Sequence, residues 1–147
     1  QLPVRLPASR VRVVSRQLLD DADAAALDAA DVVLGVGRGV GGPEGLAPVV
    51  ALARRLGAAV AATREVTDAG WLPKHHQVGV TGRAIAPRLY VALGVSGSME
   101  HMVGVRRAGT IVAVNKNAKA PIFKSVDFGL QADLTAVLPY LEAALRP

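Results

Sequence analysis

The side chains most able to do chemistry fall in a few short stretches. Ala62-Thr63-Arg64 ends an apolar run with a hydroxyl and a guanidinium. Gln77-Val78-Gly79-Val80-Thr81-Gly82 sets an amide and a second hydroxyl among glycines. Gly94-Val95-Ser96-Gly97-Ser98-Met99-Glu100-His101 joins a glycine-serine loop to an imidazole, and Val114-Asn115-Lys116 closes the series. Each stretch borders an expected strand. Polar contacts at several separated strand ends suit one long ligand of the dinucleotide type. Ser96 and Ser98, with the backbone N–H groups of a helix opening near Met99, would hold a pyrophosphate. His101, in the first turn of that helix, could donate a hydrogen bond to a ligand anion. The local sequence also allows plainer readings: a capped turn at Ser96 to Ser98 and a structural histidine at position 101.

Gly37-Arg38-Gly39-Val40-Gly41-Gly42 has the spacing GxGxxG between an expected strand and an expected helix. Any tight strand-to-helix turn favours glycine, so the pattern alone decides little. The acidic residue that a nicotinamide-type site needs further on would be Glu65, which follows Arg64 in an expected loop and not a strand end. Arg38 reads as a cation aimed at a phosphate or an anionic ring, or else as a solvated surface residue. No Gly-Lys-Ser/Thr element is present, which excludes a nucleotide-hydrolysing P-loop. Asp127 and Asp133 do not read as an acid–base pair facing one bond. Asp133 reads as the N-cap of the last helix. Ser96 has no glycine two positions after it and so is no nucleophile elbow. His75 and His76 are adjacent, and adjacent side chains seldom reach one metal, so they read as a solvated pair. No catalytic residue and no metal site is expected.

These stretches need strands to end beside one another. Val32-Val33-Leu34, Ala58 to Ala62, Leu89 to Leu93, Thr110 to Val114 and Phe128 to Leu130 read as strands, short and apolar as buried parallel strands are. A helix is expected from Pro43, with apolar positions at Leu46, Val49, Val50, Ala53 and Leu56 and a stop at Gly57. Another runs from Leu134 to Leu145, and Pro139 may bend it. Asp21 to Ala30 suits a short helix, Met99 to Val103 reads as the opening of another, and Val11 to Ser15 reads as a strand or arm. Residues 63–82 form a long connection rich in Gly, Pro and His, and a connection of that length in a compact domain usually binds something. Strands alternating with helices imply an α/β fold: a doubly wound open parallel sheet, Rossmann-like, with helices on both faces. Ligands of such sheets bind outside the carboxyl ends of the strands, where the loops at 35–42, 63–82, 94–98 and 115–121 fall.

The chain has 147 residues, the size of one domain. Hydrophobic residues make up 51% and aromatics only 3%, so the core must be built from Ala, Val and Leu. The net charge of +5 comes without basic runs interleaved with aromatics, which argues for anionic ligands and against nucleic acid. Cysteine is absent, which removes disulfides, thiolate chemistry and cysteine-ligated metals. No apolar run is long enough to cross a membrane. The chain opens on Gln1 without an apolar leader, as expected of a fragment or processed product.

The runs VGRGVGG, AATREVTDAGWLPKHHQVGVTG, APRLYVALGVSGSMEH, TIVAVNKNAKAPIF and DFGLQADL resemble, in order and spacing, the carboxyl-terminal FAD-binding domain of the electron transfer flavoprotein alpha subunit. The resemblance covers the chain from Asp31 onward. It implies a FAD-binding domain at 31–147, with residues 1–30 as the tail of a preceding domain and its connection. It implies FAD held without a covalent bond, a beta subunit as heterodimer partner, flavin dehydrogenases as electron donors and a quinone oxidoreductase as acceptor, as in fatty acid β-oxidation. The domain would be an electron carrier with no small substrate of its own, in the bacterial cytoplasm or the mitochondrial matrix.

Carried over by motif, Arg38, Thr63 and Arg64 would line the FAD, with Arg64 against the isoalloxazine ring. Gln77, Val78, Gly79, Val80 and Thr81 would form the wall beside the ring, the Thr81 hydroxyl near flavin N5. Ser96, Gly97, Ser98, Met99 and Glu100 would hold the pyrophosphate side and bring His101 to the flavin carbonyl O2. Asn115, Asp133 and Leu134 would meet the adenosine half. A fixed Arg and a donating His would stabilise negative charge on a reduced ring. Val80 stands where many members carry a second glutamine, Glu100 where glutamine is common, Thr63 for a serine and Asn117 for an aspartate. Two other readings stay open: a nicotinamide- or nucleotide-binding enzyme domain relying on the 37–42 glycines, and a cofactor-free scaffold that docks a beta-like subunit.

Overall fold

A computed structural model of the protein describes residues 22–144 together with 12, 14 and 15. Of the strand or arm expected at Val11 to Ser15, Arg12, Val14 and Ser15 form no strand, and the other positions lie outside the described residues.

The strands are β1 (Val32–Val36), β2 (Ala59–Ala62), β3 (Leu89–Leu93), β4 (Thr110–Asn115) and β5 (Phe128–Gln131). They form one five-stranded sheet in the order β2-β1-β3-β4-β5, every pair parallel. The helices are α1 (Ala22–Ala29), α2 (Pro43–Leu56), α3 (Arg64–Asp68), α4 (Met99–Val105) and α5 (Leu134–Ala144). This is the doubly wound α/β sheet that the pattern of elements predicts.

Side-chain alternation along the strands divides the core in two. Val33, Ala92 and Ala113 face a layer that holds Leu27 of α1 and Val105 of α4. Their neighbours Leu34, Leu93 and Val114 face the other layer, with Leu46, Val49 and Leu52 of α2 and Leu134 and Leu138 of α5. Central strands buried on both faces must be apolar throughout, which is why β1 reads VVLGV. β5 is one edge of the sheet, opposite β2, and all four of its residues are exposed.

α2 starts at Pro43, whose missing N–H belongs to the unpaired first turn, and ends at Gly57, which takes a left-handed φ of 60°. α5 runs through Pro139 as one helix. Its start is capped by Asp133, whose Oδ1 accepts from Thr135 N at 2.9 Å, as the sequence predicts. Position 145, the expected end of α5, lies outside the described residues.

The chain departs from expectation in two places. Leu27 is buried in the sheet core and Asp28 pairs with Arg83 at 2.8 Å, so α1 packs as part of this unit. This helix of the expected connection thus rests against the sheet. The long connection after β2 also has structure: α3, a 3-10 turn at Lys74–His76, and isolated parallel bridges that pair Ala62 with Gln77 and Val78 with Arg83.

Candidate functional site

Strand order reverses between β1 and β3. The chain leaves β1 toward β2 on one side and leaves β3 toward β4 on the other, which opens a crevice at their carboxyl ends. The two loops meet there. Gly37 N donates to Leu93 O and Gly39 N to Gly94 O, each over 3.0 Å. A side chain on Gly39 would strike the Gly94 backbone, and one on Gly94, which has φ +63°, would strike Gly39. The first two glycines of the GxGxxG run thus serve loop-on-loop packing. Gly41 and Gly42 serve backbone conformation, at φ 88° and 143°.

A trough runs across the strand ends from this crevice. One end is a cavity of about 460 Å³ walled by Arg64, Gln77 to Thr81, Ser98, Glu100 and His101. Thr63 and Glu65 line both this cavity and the next, of about 440 Å³, where Arg38, Ser96, Asn115 and Lys116 stand. A smaller recess of about 100 Å³ continues past Asn115 to Asp133 and Leu134. The structure therefore brings fifteen of the expected site residues to one trough. Gly97 and Met99 do not line it. Gly97, at φ +84°, packs on Ile122, and Met99 points into solvent, 79% exposed.

Most polar groups in the trough have partners within the protein. Arg64 Nε meets Asp68 Oδ2 at 3.0 Å, one helical turn away, and Asp68 also faces Lys74 at 3.8 Å. Gln77, 1% exposed, accepts at Oε1 from Thr67 Oγ1 at 2.8 Å and from Lys74 Nζ, and donates from Nε2 to Thr81 Oγ1 at 2.8 Å. Val80 N donates to Glu100 O at 2.8 Å, tying the 77–82 loop to α4. Asn115 donates to Val95 O at 2.8 Å and accepts from Asn117 N at 2.9 Å, pinning the loops after β3 and β4.

His101 is buried. Its Nδ1 lies 3.1 Å from Val78 O, which can only accept, so Nδ1 carries a proton. Tyr90 Oη lies 2.7 Å from Nε2. Burial lowers the imidazole pKa, against smaller opposing pulls from the Val78 carbonyl and the Glu65 charge. The ring is then neutral, with Nε2 accepting from Tyr90. Both nitrogens are engaged inside the protein, so the arrangement does not offer the N–H expected for a ligand carbonyl. Burial also raises the Tyr90 pKa, which keeps that hydroxyl protonated.

Thr63 Oγ1 is the exception: it is buried and makes no hydrogen bond of regular geometry among the described residues. It lies beside the Glu65 carboxylate and, with the Glu65 backbone, holds that group's pKa below its ordinary value. Glu65 and Lys116 are lining residues that the sequence reading left out of the site. The sequence places Glu65 in a loop, yet it stands in the first turn of α3 and lines both cavities. His75 and His76 are not a solvated pair. They are half-buried with ring centroids 4.4 Å apart, and His76 Nδ1 donates to Val60 O at 2.7 Å. Among the described residues no cluster of side chains could hold a metal ion, and no helix is long and apolar enough to cross a membrane.

Residues 26–106 match the family described as the electron transfer flavoprotein FAD-binding domain. The electron transfer flavoprotein subunit alpha of Thermoanaerobacterium thermosaccharolyticum is 49% identical over 115 residues, 78% of this chain and 35% of that protein. The Mycobacterium tuberculosis subunit alpha is 48% identical over 115 residues, 78% of this chain and 36% of its own length. The mitochondrial subunit alpha of Arabidopsis thaliana is 45% identical over 133 residues, 90% of this chain and 36% of that protein. The chain thus spans little more than a third of the length of these relatives. A family match over residues 26–106, more than half of the chain, and a relative 49% identical over 78% of it place the chain in the electron transfer flavoprotein alpha-subunit family, of which it carries the FAD-binding domain.

Proposed function

We propose that the trough holds FAD at full stretch. The isoalloxazine ring would lie in the cavity walled by Arg64, Gln77 and Thr81, the diphosphate beside Arg38, Ser96 and Lys116, and the adenosine toward Asn115, Asp133 and Leu134. The observation that carries this reading is Thr63 Oγ1, buried midway along a trough that crosses the strand ends and short of a hydrogen bond of regular geometry. A buried hydroxyl left under-satisfied costs up to about 1–3 kcal/mol, and a polar atom of a long ligand would relieve that. Gly39 and Gly94 fit the same picture, since both line the trough and neither tolerates a side chain. The diphosphate reading rests on the two cations and the Ser96 hydroxyl.

Bound there, FAD would supply the electron chemistry, while the protein supplies orientation and electrostatics. Thr81, with its oxygen already accepting from Gln77, keeps a proton to donate into the ring cavity. His101 forms a neutral, rigid wall. To donate to a flavin carbonyl its ring would have to give up Tyr90 or Val78. Arg64 reaches the cavity as half of an ion pair with Asp68. In the complete subunit, paired with a beta subunit, the domain would pass electrons from flavin dehydrogenases to a quinone-linked acceptor in the bacterial cytoplasm, with no small substrate of its own.

The test uses the full-length chain co-produced with its beta subunit. The purified protein is expected to be yellow and, after denaturation, to release stoichiometric FAD identified by mass. Release of a nicotinamide dinucleotide, or of no flavin, would overturn the reading. Thr63→Val fills the same space without the hydroxyl and is expected to weaken FAD binding about five-fold, the worth of one hydrogen bond.

A further inference from the structure

Gln77 is only 1% exposed, less than Thr63 or His101, and its amide can face only one way. Lys74 Nζ and Thr67 Oγ1 both meet its Oε1. An ammonium has donors and no acceptor, so the amide oxygen must face Lys74 and the NH2 must face Thr81. Nε2 then donates to Thr81 Oγ1 at 2.8 Å. Thr81 accepts there, and its own proton remains for a partner in the cavity it lines.

The loop leaves these groups little room to rearrange. Arg83 N donates to Gln77 O at 2.9 Å, Gly79 N to Arg83 O at 3.0 Å and Gly82 N to Gly79 O at 3.0 Å, closing residues 77–83 on themselves. A side chain at Gly82 would collide with the Gln77 carbonyl. Thr81 is therefore held opposite the Gln77 amide. The outer end of the chain is anchored too, since Lys74 also faces Asp68, the partner of Arg64.

We propose that Gln77 is a positioning residue: locked by Lys74 and Thr67, it fixes the Thr81 hydroxyl as a hydrogen-bond donor into the ring cavity. The proposal rests on the flavin reading above, in which the acceptor is a nitrogen at the edge of the isoalloxazine ring. The Lys74 charge on the amide oxygen polarises the amide N–H, which in turn strengthens Thr81 as a donor. Lys74 and Thr67 need not touch the ligand.

The test reads the hydrogen bond directly. FAD labelled with 15N at N5 is bound to the full-length chain with its beta subunit, and the N5 resonance is recorded for each variant. Thr81→Val removes the donor and sets the reference shift. Gln77→Glu keeps the shape but leaves only acceptors facing Thr81, so the hydroxyl turns its proton away from the ring. The N5 signal is expected to move to the Thr81→Val position, with about five-fold weaker FAD binding in both. The double variant Thr67→Ala, Lys74→Met releases the amide at the half-exposed end, and its signal is expected to move the same way by less. If Thr81→Val moves the signal and Gln77→Glu leaves it in place, the role of Gln77 is wrong while the flavin reading stands. Should Gln77→Glu fail to fold, an unmoved signal in the double variant overturns the proposal. An unmoved signal in Thr81→Val removes Thr81 as donor and the relay with it. A wild-type protein that takes up no labelled FAD ends both readings.

Discussion

His101 shows how a side chain's neighbours decide its chemistry. The motif around it suggests a donor, but burial and the Tyr90 hydroxyl make it an acceptor at Nε2. The same burial ties His101 to stability. Its folded pKa is depressed below the ordinary histidine value of about 6.5. Between the two pKa values the unfolded chain binds the proton that the folded chain refuses. Stability is therefore fully present above about pH 6.5 and is lost as the pH falls through the folded pKa. Urea midpoints measured from pH 7.5 down to 5 should fall in the wild-type domain, and that component should vanish in His101→Gln. A parallel decline in both would assign the acid sensitivity to other groups. Tyr90 could be read as a strand residue from the sequence, but its partner could not. Residues 90 and 101 meet only because β3 turns straight into α4, and the missing Cβ of Gly35 makes room for the phenol.

At the scale of elements, the crevice depends on how closely two loops approach. Gly39→Ala would drive a methyl group into the Gly94 backbone, where neither loop can give way because both are hydrogen-bonded strand extensions. A loss on the order of 2–4 kcal/mol is expected, from steric strain and the broken Gly39–Gly94 hydrogen bond. Thermal denaturation should show it, while Gly41→Ala, where an added Cβ meets nothing, should cost only the left-handed φ. Equal losses at both positions would mean that backbone conformation, not loop contact, governs the turn. The central strands and α2 were legible because their periods are long enough to read: β3 matches residue for residue, and α2 carries both its proline start and its glycine stop. α3 was not legible. Five residues give barely more than one helical turn, too few for a periodic signal, and it is held by Val66 packing on the core rather than by propensity. α1 was legible as a helix but not as part of this unit, since only the packed structure buries Leu27.

Across the whole molecule the charges are unevenly shared. The chain carries a net charge of +5, and two cations, Arg38 and Lys116, line the middle of the trough. The ring end is different: one arginine, Arg64, faces three carboxylates, Glu65, Asp68 and Glu100, and the adjacent imidazole is neutral. A ligand with a charged middle and an uncharged ring would be drawn in by the first region and find no surplus positive charge in the second. The sequence reading expected Arg64 and His101 to favour negative charge on a reduced ring. The structure pairs Arg64 and neutralises His101, so the carboxylates set the sign. Glu65 is the most informative of them because it stands where the two cavities join and its pKa is held low, so it is ionised at neutral pH. Glu65→Gln removes that charge and keeps the shape. The midpoint potential of bound FAD should rise, by about 20–40 mV for a charge acting through partly screened surroundings. FAD affinity should rise as well, because in the proposed pose the diphosphate would lie on the other side of the same carboxylate, and both gains should shrink at high salt. A spectroelectrochemical titration that finds the potential unmoved or lowered would mean that solvent, not the lining carboxylates, controls the field at the ring.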